Sequence, residues 1–553
     1  MFYCPNCGGK MIFDIPSQQM KCVYCGSQMP PENYDIKNEV DPSKYETNVY
    51  VCKNCGAELT SPDEQMVSFC SYCGSEAVLA GKIESENRPK EIIPFRIAKK
   101  RCQELYKQKV GKALFLPKEM KDEQFLEQFR GIYIPYWSVG VDFPQFAQQM
   151  AYSETSLGGS KYQHNTYLLN LRAESQGRYL RDGSSSLDDS IADAIGDFSE
   201  NATPFKAAYL AGFYADRADV MPEKYVEDVQ AEAKDHAAKA ITSELSRRSM
   251  HYTTPSLNAG PLRKAGINPD QIRTTTLEET FQPVCKDYYS KLLPVWFLTW
   301  RKKDRVSYVV MNGETGSMYT ELPVQKSSYL ITAGIIAVVI FALLSLFLTA
   351  LPTTTLGITA ILALISLTVL TSELRKLMEK ELHLNDIGSK EYDAANENLK
   401  KKKKTKYKAA KGAGVGIGTS LLFIFAYIGI RFVFEMISEG ASIGDQYTFL
   451  TISAFICGIL GVIQMIRGIS KASHLKEKSM VIWPILNGLA IMITFLIAVI
   501  RPVSDWWYYG GAVVCMIGTL LPALELIDVY NLMATRPLPS FFGREGANHA
   551  LRD

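Results

Sequence analysis

Cys4-Pro5-Asn6-Cys7-Gly8 and Cys22-Val23-Tyr24-Cys25-Gly26 stand near the start of the chain, with fourteen residues between the two cysteine pairs. The same pattern and spacing return as Cys52-Lys53-Asn54-Cys55-Gly56 and Cys70-Ser71-Tyr72-Cys73-Gly74. Two cysteines separated by two residues place two thiolates at one tight turn, and four thiolates suit the tetrahedral geometry of Zn²⁺. The glycine after each pair suits a sharp turn, because positive φ is unstrained without a Cβ. The repeat predicts two zinc ribbons, at residues 1–26 and 50–75, each closed around one structural Zn²⁺.

Disulfide bonds are the alternative use of these cysteines, and they need an oxidising compartment. The chain begins Met1-Phe2-Tyr3-Cys4, without the basic start and apolar run of a signal peptide. We therefore expect the N-terminal region to stay in the reducing cytoplasm. The predicted zinc ligands are Cys4, Cys7, Cys22, Cys25, Cys52, Cys55, Cys70 and Cys73.

The charge of the two spacers bears on what the ribbons bind. The first spacer contains Lys10 and Lys21, whereas the second contains acidic residues, among them Glu58, and neither Lys nor Arg. Proteins that bind nucleic acid need several basic side chains to contact phosphates. Protein docking or intramolecular packing is therefore favoured, and nucleic-acid binding remains the alternative.

The rest of the chain divides by composition. Its 553 residues carry a formal net charge of +2, and this length accommodates about three or four domains. Residues 27–49 are rich in proline and polar side chains and are predicted to be a linker, as are residues 76–90. Residues 91–325 are predicted to form a cytoplasmic α+β domain, with a division near residue 145 as an alternative.

Hydrophobic periodicity predicts the elements of this α+β domain. Helices are expected at 98–111, 121–130, 187–198 and 222–248. Strands are expected at 91–97, 131–143, 146–152, 162–172, 178–181, 273–284, 292–300, 305–311 and 317–322. Asn312-Gly313-Glu314-Thr315-Gly316 is a strong turn signal between the last two strands.

The same region contains no recognisable catalytic motif. None of the six histidines lies in an HExxH sequence or beside a nucleophile motif. Cys102 and Cys285 are single cysteines, which more often pack in a core than act as nucleophiles. Asp188, Asp189 and Asp193 lie at a predicted helix start, where the helix dipole favours acidic side chains. No catalytic residue is predicted, and an enzyme of unknown reaction within 91–325 remains an alternative.

The last part of the chain has the hydrophobicity of a membrane domain. An apolar run of about 20 residues spans a bilayer as a helix, and residues 329–528 contain six such candidates, of which the second is short. The predicted spans are 329–351, 355–371, 412–437, 447–466, 480–500 and 507–527.

Basic residues in the connections set the expected orientation. Twelve Lys and Arg lie in 372–411 and four in 467–479, whereas the other connections are short and nearly uncharged. The positive-inside rule places both basic segments in the cytoplasm. We therefore expect a multi-pass protein of the cell's inner membrane with both termini cytoplasmic, including a tail at 529–553, and with Trp506-Trp507-Tyr508-Tyr509 at the outer interface. A basic cluster is also a candidate for contact with anionic lipid, namely Lys400, Lys401, Lys402, Lys403 and Lys404.

Several motifs spread over most of the chain are those of one family: Cys4-Pro5-Asn6-Cys7-Gly8, Ile93-Pro94-Phe95-Arg96-Ile97, Gly131-Ile132-Tyr133-Ile134-Pro135-Tyr136-Trp137, Tyr209-Leu210-Ala211-Gly212-Phe213-Tyr214, Leu293-Pro294-Val295-Trp296 and Tyr308-Val309-Val310-Met311-Asn312-Gly313. With them the chain resembles bacterial zinc-ribbon membrane proteins labelled TFIIB-type zinc ribbon or primosomal-protein-N′-like. No Walker loop occurs, so a helicase is excluded. In that family, the genes lie beside genes for a phage-shock-protein-A relative and a TPM-domain membrane protein. The resemblance therefore implies a membrane-stress assembly with partners of those two types.

These patterns together favour a membrane-anchored scaffold or adaptor that recruits cytoplasmic proteins to the inner membrane through its ribbons and α+β domain. A membrane-tethered regulator that binds nucleic acid is the second hypothesis. The third is an enzyme within residues 91–325, which would require histidines, cysteines or carboxylates to converge in one cleft.

Overall fold

The computed structural model describes residues 2–33, 44–62, 69–75, 80–144, 147–157, 162–175, 177–196, 198, 201–248, 251–252, 281–347, 351–383, 386–387, 443–475 and 477–541. Its strands in chain order are β1 (Met11–Asp14), β2 (Gln19–Cys22), β3 (Gln28–Met29), β4 (Lys44–Val51), β5 (Glu58–Ser61), β6 (Ala80–Asn87), β7 (Glu91–Ile92), β8 (Arg130–Asp142), β9 (Ala147–Ser156), β10 (Tyr162–Leu171), β11 (Tyr179–Asp182), β12 (Thr203–Pro204), β13 (Tyr214–Asp216), β14 (His251–Tyr252), β15 (Val284–Lys302), β16 (Arg305–Asn312), β17 (Met318–Thr320) and β18 (Arg536–Pro537).

The α-helices among the described residues are α1 (Lys99–Val110), α2 (Glu123–Leu126), α3 (Asp189–Ala194), α4 (Val226–Arg247), α5 (Lys326–Phe347), α6 (Pro352–Glu381), α7 (Ile443–Ala472), α8 (Ile482–Ile500) and α9 (Asp505–Met533). Short 3₁₀ helices precede α2, α4 and α8 at Lys118–Lys121, Pro222–Tyr225 and Lys478–Val481. The described chain thus combines an α/β region with long apolar helices, as predicted.

Two long antiparallel strands, β8 and β15, form the centre of a twelve-stranded sheet in the described part of the chain. Alternate residues of a strand point to opposite faces, and here both faces are covered. Tyr133 and Trp296 lie in one hydrophobic core, whereas Ile132 and Val295 lie in the other. Burial on both faces explains why these strands are almost continuously apolar in sequence.

The two four-cysteine clusters lie on opposite faces of this sheet. The strands β1 to β3 form a small sheet around the first cluster, and Met11 and Phe13 enter the core that also contains α1. The Phe13 and Tyr209 rings meet edge to face at 5.3 Å, and the Phe13 N–H donates to the Ala211 carbonyl at 3.0 Å. All four cysteines of the second cluster lie in the opposite core, next to α3.

The second cysteine region is built into the large sheet. β5 pairs with β13, which pairs with β8, and β4 connects β5 to β6. Two predicted linkers are therefore corrected: β6 lies within 76–90, and β4 begins within 27–49. β6 carries Lys82, Glu84 and Glu86, so its sequence lacks an apolar alternation, and charged residues of this kind are common on edge strands. Residues 34–43, in the first of these linkers, lie outside the described residues.

Other predicted elements differ mainly in their ends. The expected strand at 91–97 ends at Ile92, because Pro94 follows and has no N–H to donate to a neighbouring strand. The expected helix at 121–130 is the short α2. The two strands expected at 273–284 and 292–300 meet in β15, which begins at Val284, and residues 273–280 lie outside the described part.

The turn predicted after β16 is present in the structure. The side-chain oxygen of Asn312 accepts the N–H groups of Glu314 and Thr315, at 2.9 and 3.0 Å. Gly316 adopts a φ of +81°, which a residue with a Cβ adopts only with strain. The chain then enters β17.

Five described helices, α5 to α9, are long and apolar enough to cross a membrane. The second expected span, 355–371, lies within α6, which has 30 residues and continues into the predicted loop at 372–411. This exceeds the roughly 20 residues that cross the hydrocarbon layer, so the last turns of α6 reach the α/β region. The third expected span, 412–437, lies outside the described residues.

Helices α6 to α9 pack together as a bundle whose two ends have separate apolar clusters. The cluster away from the α/β region contains Leu356, Leu450, Ile497 and Tyr508. The cluster beside the α/β region contains Leu377, Ala472, Met480 and Val529. From their order along the chain, α6, α7 and α9 run towards the α/β region and α8 runs away from it.

Among the four aromatic residues expected at the outer interface, three are exposed and one is not. Tyr508 is buried and meets the Tyr447 ring edge to face at 6.4 Å, whereas Trp506, Trp507 and Tyr509 face outwards. The aromatic belt prediction is therefore corrected for Tyr508, because it lies on the face of α9 that packs in the bundle.

The chain after α9 returns to the large sheet instead of forming a free tail. β18 pairs with the start of β16, and the Phe541 N–H donates to the Cys55 carbonyl at 2.6 Å. The Phe541 ring meets the Tyr72 ring at 5.6 Å. Of the expected tail 529–553, residues 529–533 belong to α9, and the described residues after them, up to 541, reach the second cysteine cluster.

Candidate metal centres

The first cluster brings together the four cysteines predicted from the sequence. The Sγ atoms of Cys4 and Cys25 are 3.6 Å apart, and those of Cys7 and Cys22 are 3.5 Å apart. All four Sγ atoms lie within 4.8 Å of one another. A tetrahedral Zn²⁺ with Zn–S bonds of about 2.3 Å separates its sulfurs by about 3.8 Å, whereas disulfide sulfurs are about 2.05 Å apart. The arrangement fits a metal ion and not a disulfide.

The second cluster has nearly the same geometry. The Sγ distances are 3.7 Å for Cys52 and Cys73 and 3.7 Å for Cys55 and Cys70, and all four sulfurs again lie within 4.8 Å. All twelve cysteines of the chain are free of disulfide bonds. Thiolate sulfur is the ligand that Zn²⁺ takes in closed structural sites, and both donor sets suit it.

A repeated backbone turn positions each pair of sulfurs. In every pair, the N–H of the following glycine donates to the carbonyl of the first cysteine, as in Gly8 to Cys4 at 2.8 Å and Gly56 to Cys52 at 2.7 Å. The φ angles of the four glycines lie between +64° and +76°. A side chain at these positions would strain the turn, which explains the glycine after each pair.

Two serines that the sequence analysis missed contact the sulfurs from outside. The Ser27 Oγ lies 3.0 Å from the Cys25 Sγ, and the Ser75 Oγ lies 2.9 Å from the Cys73 Sγ. The Ser27 hydroxyl and backbone N–H lower the pKa of Cys25 to about 6, which favours the thiolate that binds metal. Their shared position, two residues after the last cysteine, was the signal available in the sequence. Such outer contacts commonly orient metal ligands.

The two clusters differ sharply in exposure. All four cysteines of the second cluster are buried, whereas Cys7 and Cys25 of the first are exposed. The first cluster therefore lies at the surface, and the second lies inside the fold.

Equivalent tyrosines show the same contrast. Tyr72 is fully buried: its hydroxyl donates to the Asp216 Oδ2 at 2.7 Å, and its carbonyl accepts from the Tyr308 hydroxyl at 2.7 Å. Tyr24, at the same place in the first repeat, is 79% exposed. Its ring lies over Gly9, where an added Cβ would come within 2.5 Å of it. The second turn is thus docked on the sheet, and the first presents its tyrosine to the outside.

A buried ionic network joins the tail, the sheet and α6. The Arg536 guanidinium lies 2.6 Å from an Asp188 oxygen and 2.7 Å from a Glu321 oxygen, and the Lys380 Nζ lies 2.7 Å from the same Glu321 oxygen. Burial raises the pKa of Glu321, but the positive charges of Arg536 and Lys380 outweigh it, so the pKa of Glu321 is lowered. Asp188 also accepts the Ser190 N–H at 3.0 Å, as expected of a helix start. This network attaches the membrane-type helices to the α/β region.

Next to this network lies an acidic cavity of about 510 Å³ that the sequence analysis did not anticipate. Asp182, Asp189 and Asp193 line it together with Tyr136 and Tyr225. Burial, reinforced by the neighbouring carboxyl groups, raises the pKa of Asp182 well above its usual value, and burial raises the pKa of Asp189 to about 6. The preference for acidic residues at a helix start therefore explains Asp189 and Asp193 only in part, because both side chains also line this cavity.

The other residues singled out in the sequence lie apart from these sites. Cys102 is packed in the core around α1, and burial raises its pKa. Cys285 is half-buried on β15. The basic cluster Lys400 to Lys404 lies outside the described residues. Asp188, His383 and Asp386 place their ligand atoms within 4.8 Å of one another, although the Arg536 guanidinium already neutralises Asp188.

The chain is 27% identical over 341 residues to an uncharacterized protein, YdjG, of Bacillus subtilis (strain 168), an alignment that covers 59% of this chain and 90% of that protein. No family model matches the chain. No solved structure matches it either.

Proposed function

We propose that this protein is a membrane-anchored adaptor that recruits a cytoplasmic protein to the inner membrane through its first zinc ribbon. The observation that carries the proposal is the contrast between the equivalent tyrosines Tyr72 and Tyr24. In the second repeat the tyrosine docks the metal turn on a protein surface inside the chain. In the first repeat the same side chain is available for a surface on another protein.

Each four-cysteine cluster in this proposal holds one structural Zn²⁺. The sulfur separations of 3.5 to 3.7 Å suit a tetrahedral ion. Four thiolates leave no position for a water molecule, so the metal ions stabilise the fold and take no part in a reaction.

The proposed docking surface is apolar and lies at the first cluster. It comprises Tyr3, Val23 and Tyr24, each more than half exposed, around the sulfurs of Cys7 and Cys25. Aromatic side chains with a polar tip are well suited to protein interfaces. By its resemblance to the zinc-ribbon membrane proteins, the partner is of the phage-shock-protein-A or TPM type, in an envelope-stress assembly.

The adaptor is proposed to have six membrane spans with both termini in the cytoplasm. The end of α6 and the described start of α7 lie at opposite ends of the bundle. The chain between them must therefore pass from one end to the other, which supports the proposed additional span at 412–437. The basic residues Arg467, Lys471 and Lys478 lie at the end of the bundle that adjoins the α/β region. This agrees with the positive-inside rule if that region is cytoplasmic.

The test is a pull-down from native membranes in mild detergent, followed by mass spectrometry of the captured proteins. We expect a cytoplasmic protein with the wild type that is lost from a Tyr24→Ser variant. The matched control is Leu114→Ser, since Leu114 is 82% exposed on another part of the chain. A change at Tyr24 is preferred to a change at a zinc ligand such as Cys22, because Cys22 is also part of the hydrophobic core.

Three results would separate the hypotheses. Identical proteins captured by wild type and Tyr24→Ser would refute docking at the first ribbon. Salt-sensitive binding of DNA by the purified protein would favour the nucleic-acid regulator. The enzyme hypothesis requires carboxylates that converge in one cleft, and Asp182, Asp189 and Asp193 line the acidic cavity. An enzymatic activity of the purified protein that is lost when these aspartates are substituted would favour that alternative.

A further inference from the structure

The strongest unexplained feature of the described chain is a group of hydrogen-bond acceptor oxygens around a single donor, the Tyr225 hydroxyl. The Tyr225 hydroxyl lies 3.1 Å from the Asp182 Oδ1, 3.4 Å from the Asp189 Oδ1 and 3.3 Å from the Ile387 carbonyl oxygen. A hydroxyl has one hydrogen to donate, and its usual O···O distance is about 2.7–2.8 Å. All three distances are longer than this, so each of the three hydrogen bonds is weak and the acceptor oxygens are incompletely satisfied.

The charges around these oxygens are unbalanced. Asp182 is buried and Asp189 lies against it, whereas the nearby Asp386 faces the His383 ring, with its Oδ2 3.3 Å from Nδ1. The cationic side chains that line the same cavity are engaged elsewhere. Arg181 pairs with Asp228 and Glu232 at the rim, and Arg178 bonds to the Ser138 hydroxyl at 2.7 Å and to its carbonyl at 2.8 Å. Two carboxyl groups held this close, one buried and one half-buried, require a positive charge or a proton between them.

An independent observation on a different strand indicates a ligand at the same place. Tyr136 stands directly opposite Asp182 in the pairing of β8 with β11, so both side chains lie on one face of the sheet. It lines the same cavity and is 3% exposed. Within the described residues its hydroxyl oxygen has no hydrogen-bond partner. Such buried hydroxyls are rarely left without one.

We propose that this corner of the cavity binds one divalent cation of the kind that prefers oxygen ligands, Ca²⁺ or Mg²⁺. The carboxylates of Asp182 and Asp189 and the carbonyl of Ile387 are its ligands from the chain. Ions of this class take carboxylates, carbonyls and water, so the hydroxyls of Tyr225 and Tyr136 are placed to bond water held by the ion.

The position of the site gives the ion a structural consequence. Asp182 ends β11 and Asp189 begins α3, both in the α/β region, whereas Ile387 follows the end of α6. The Ile387 N–H also donates to the Asp189 Oδ2 at 2.7 Å. A bound cation would therefore hold residues 386–387, just beyond a membrane-type helix, against the α/β region, and divalent-ion concentration would set the strength of that attachment.

The experiment uses the full-length, zinc-loaded protein in detergent with Tb³⁺ as the probe, because tyrosine excitation sensitises the luminescence of a Tb³⁺ ion bound nearby. We expect a saturable signal from one Tb³⁺ that Ca²⁺ or Mg²⁺ displaces. Asp182→Asn and Asp189→Asn should each weaken Tb³⁺ binding about tenfold or more, because each removes a charged ligand. Asp228→Asn is the matched control, since this carboxylate lies on the cavity rim and pairs with Arg181.

The zinc content and thermal unfolding of each variant show whether it is folded. If the aspartate variants do not fold, Tyr225→Phe takes their place and should lower the sensitised signal while it preserves the ring packing. The proposal is overturned if the wild type gives no saturable signal that Ca²⁺ or Mg²⁺ displaces, which would leave a shared proton between the two carboxyl groups. It is equally overturned if the folded variants at Asp182 and Asp189 bind Tb³⁺ as the wild type does, or if Tyr225→Phe leaves the sensitised signal unchanged.

Discussion

The equivalent tyrosines allow one chemical change to be made in two environments. Tyr72→Phe removes a hydroxyl that donates to the buried Asp216 carboxyl at 2.7 Å, while the ring keeps its contacts with Phe297 and Phe541. Tyr24→Phe removes the same hydroxyl from a side chain that is largely exposed. We expect the first change to destabilise the α/β region and the second to have almost no effect.

The size of the effect follows from the bond that is lost. A buried hydrogen bond to a carboxylate contributes about 1.5–3 kcal/mol, and loss of one partner also leaves the other less well satisfied. The Ser184 hydroxyl still donates to the same Asp216 oxygen, at 2.6 Å, which places the expected loss near the middle of that range, about 2 kcal/mol. For a region of this size, a loss of that magnitude lowers the unfolding temperature by about 4 °C or more.

The assay is thermal unfolding of the full-length protein in detergent, followed by tryptophan fluorescence. Trp296 and Trp300 lie in the core of the α/β region and report on its unfolding. Equal shifts for the two variants, or no shift for Tyr72→Phe, would refute the docked state of the second metal turn and the contrast on which the adaptor proposal rests.

Three further predictions concern the metals, the tail and the membrane orientation. Elemental analysis should find two Zn²⁺ per chain, and Cys7→Ser should lower this number to one while the main unfolding transition is retained. Cys55→Ser should abolish that transition, because a structural zinc contributes about 10–16 kcal/mol and a domain has only about 5–15 kcal/mol of net stability. Arg536→Gln should cost about 3 kcal/mol, because Asp188 loses its guanidinium partner while Glu321 keeps Lys380; faster proteolysis of the C-terminal segment would show it. The pKa values of Glu321 and Asp188 are lowered from 4.5 and 3.8, so that cost should be complete above about pH 4.5 and disappear as the pH falls through the two folded pKa values; a cost independent of pH would contradict this account. Val503→Cys, in the exposed connection between α8 and α9, should react with an impermeant maleimide from outside intact cells, and labelling only after permeabilisation would reverse the proposed topology.

Much of the element pattern could be predicted because it depends on neighbouring residues. The four cysteine pairs, the turn at Asn312 and the long apolar helices are all local signals. The predicted and observed elements differ where the local signal is weak. β6 is an edge strand with charged side chains, and α6 continues for about three turns beyond its apolar run because those turns dock on the α/β region.

Cysteine spacing and hydrophobic length are enough to predict two four-thiolate sites and several helices of membrane length, since both are properties of short segments. Which metal turn is docked and which is exposed depends on contacts between distant parts of the folded chain. Tyr72 is fixed by Asp216 and Tyr308, which lie far away in the chain and arrive on other strands. The same holds for Asp182 and Asp189 with Ile387, whose oxygens meet only when the end of α6 packs on the sheet. Contacts of this kind depend on the closure of long loops around a common core, and no local pattern in the sequence records them.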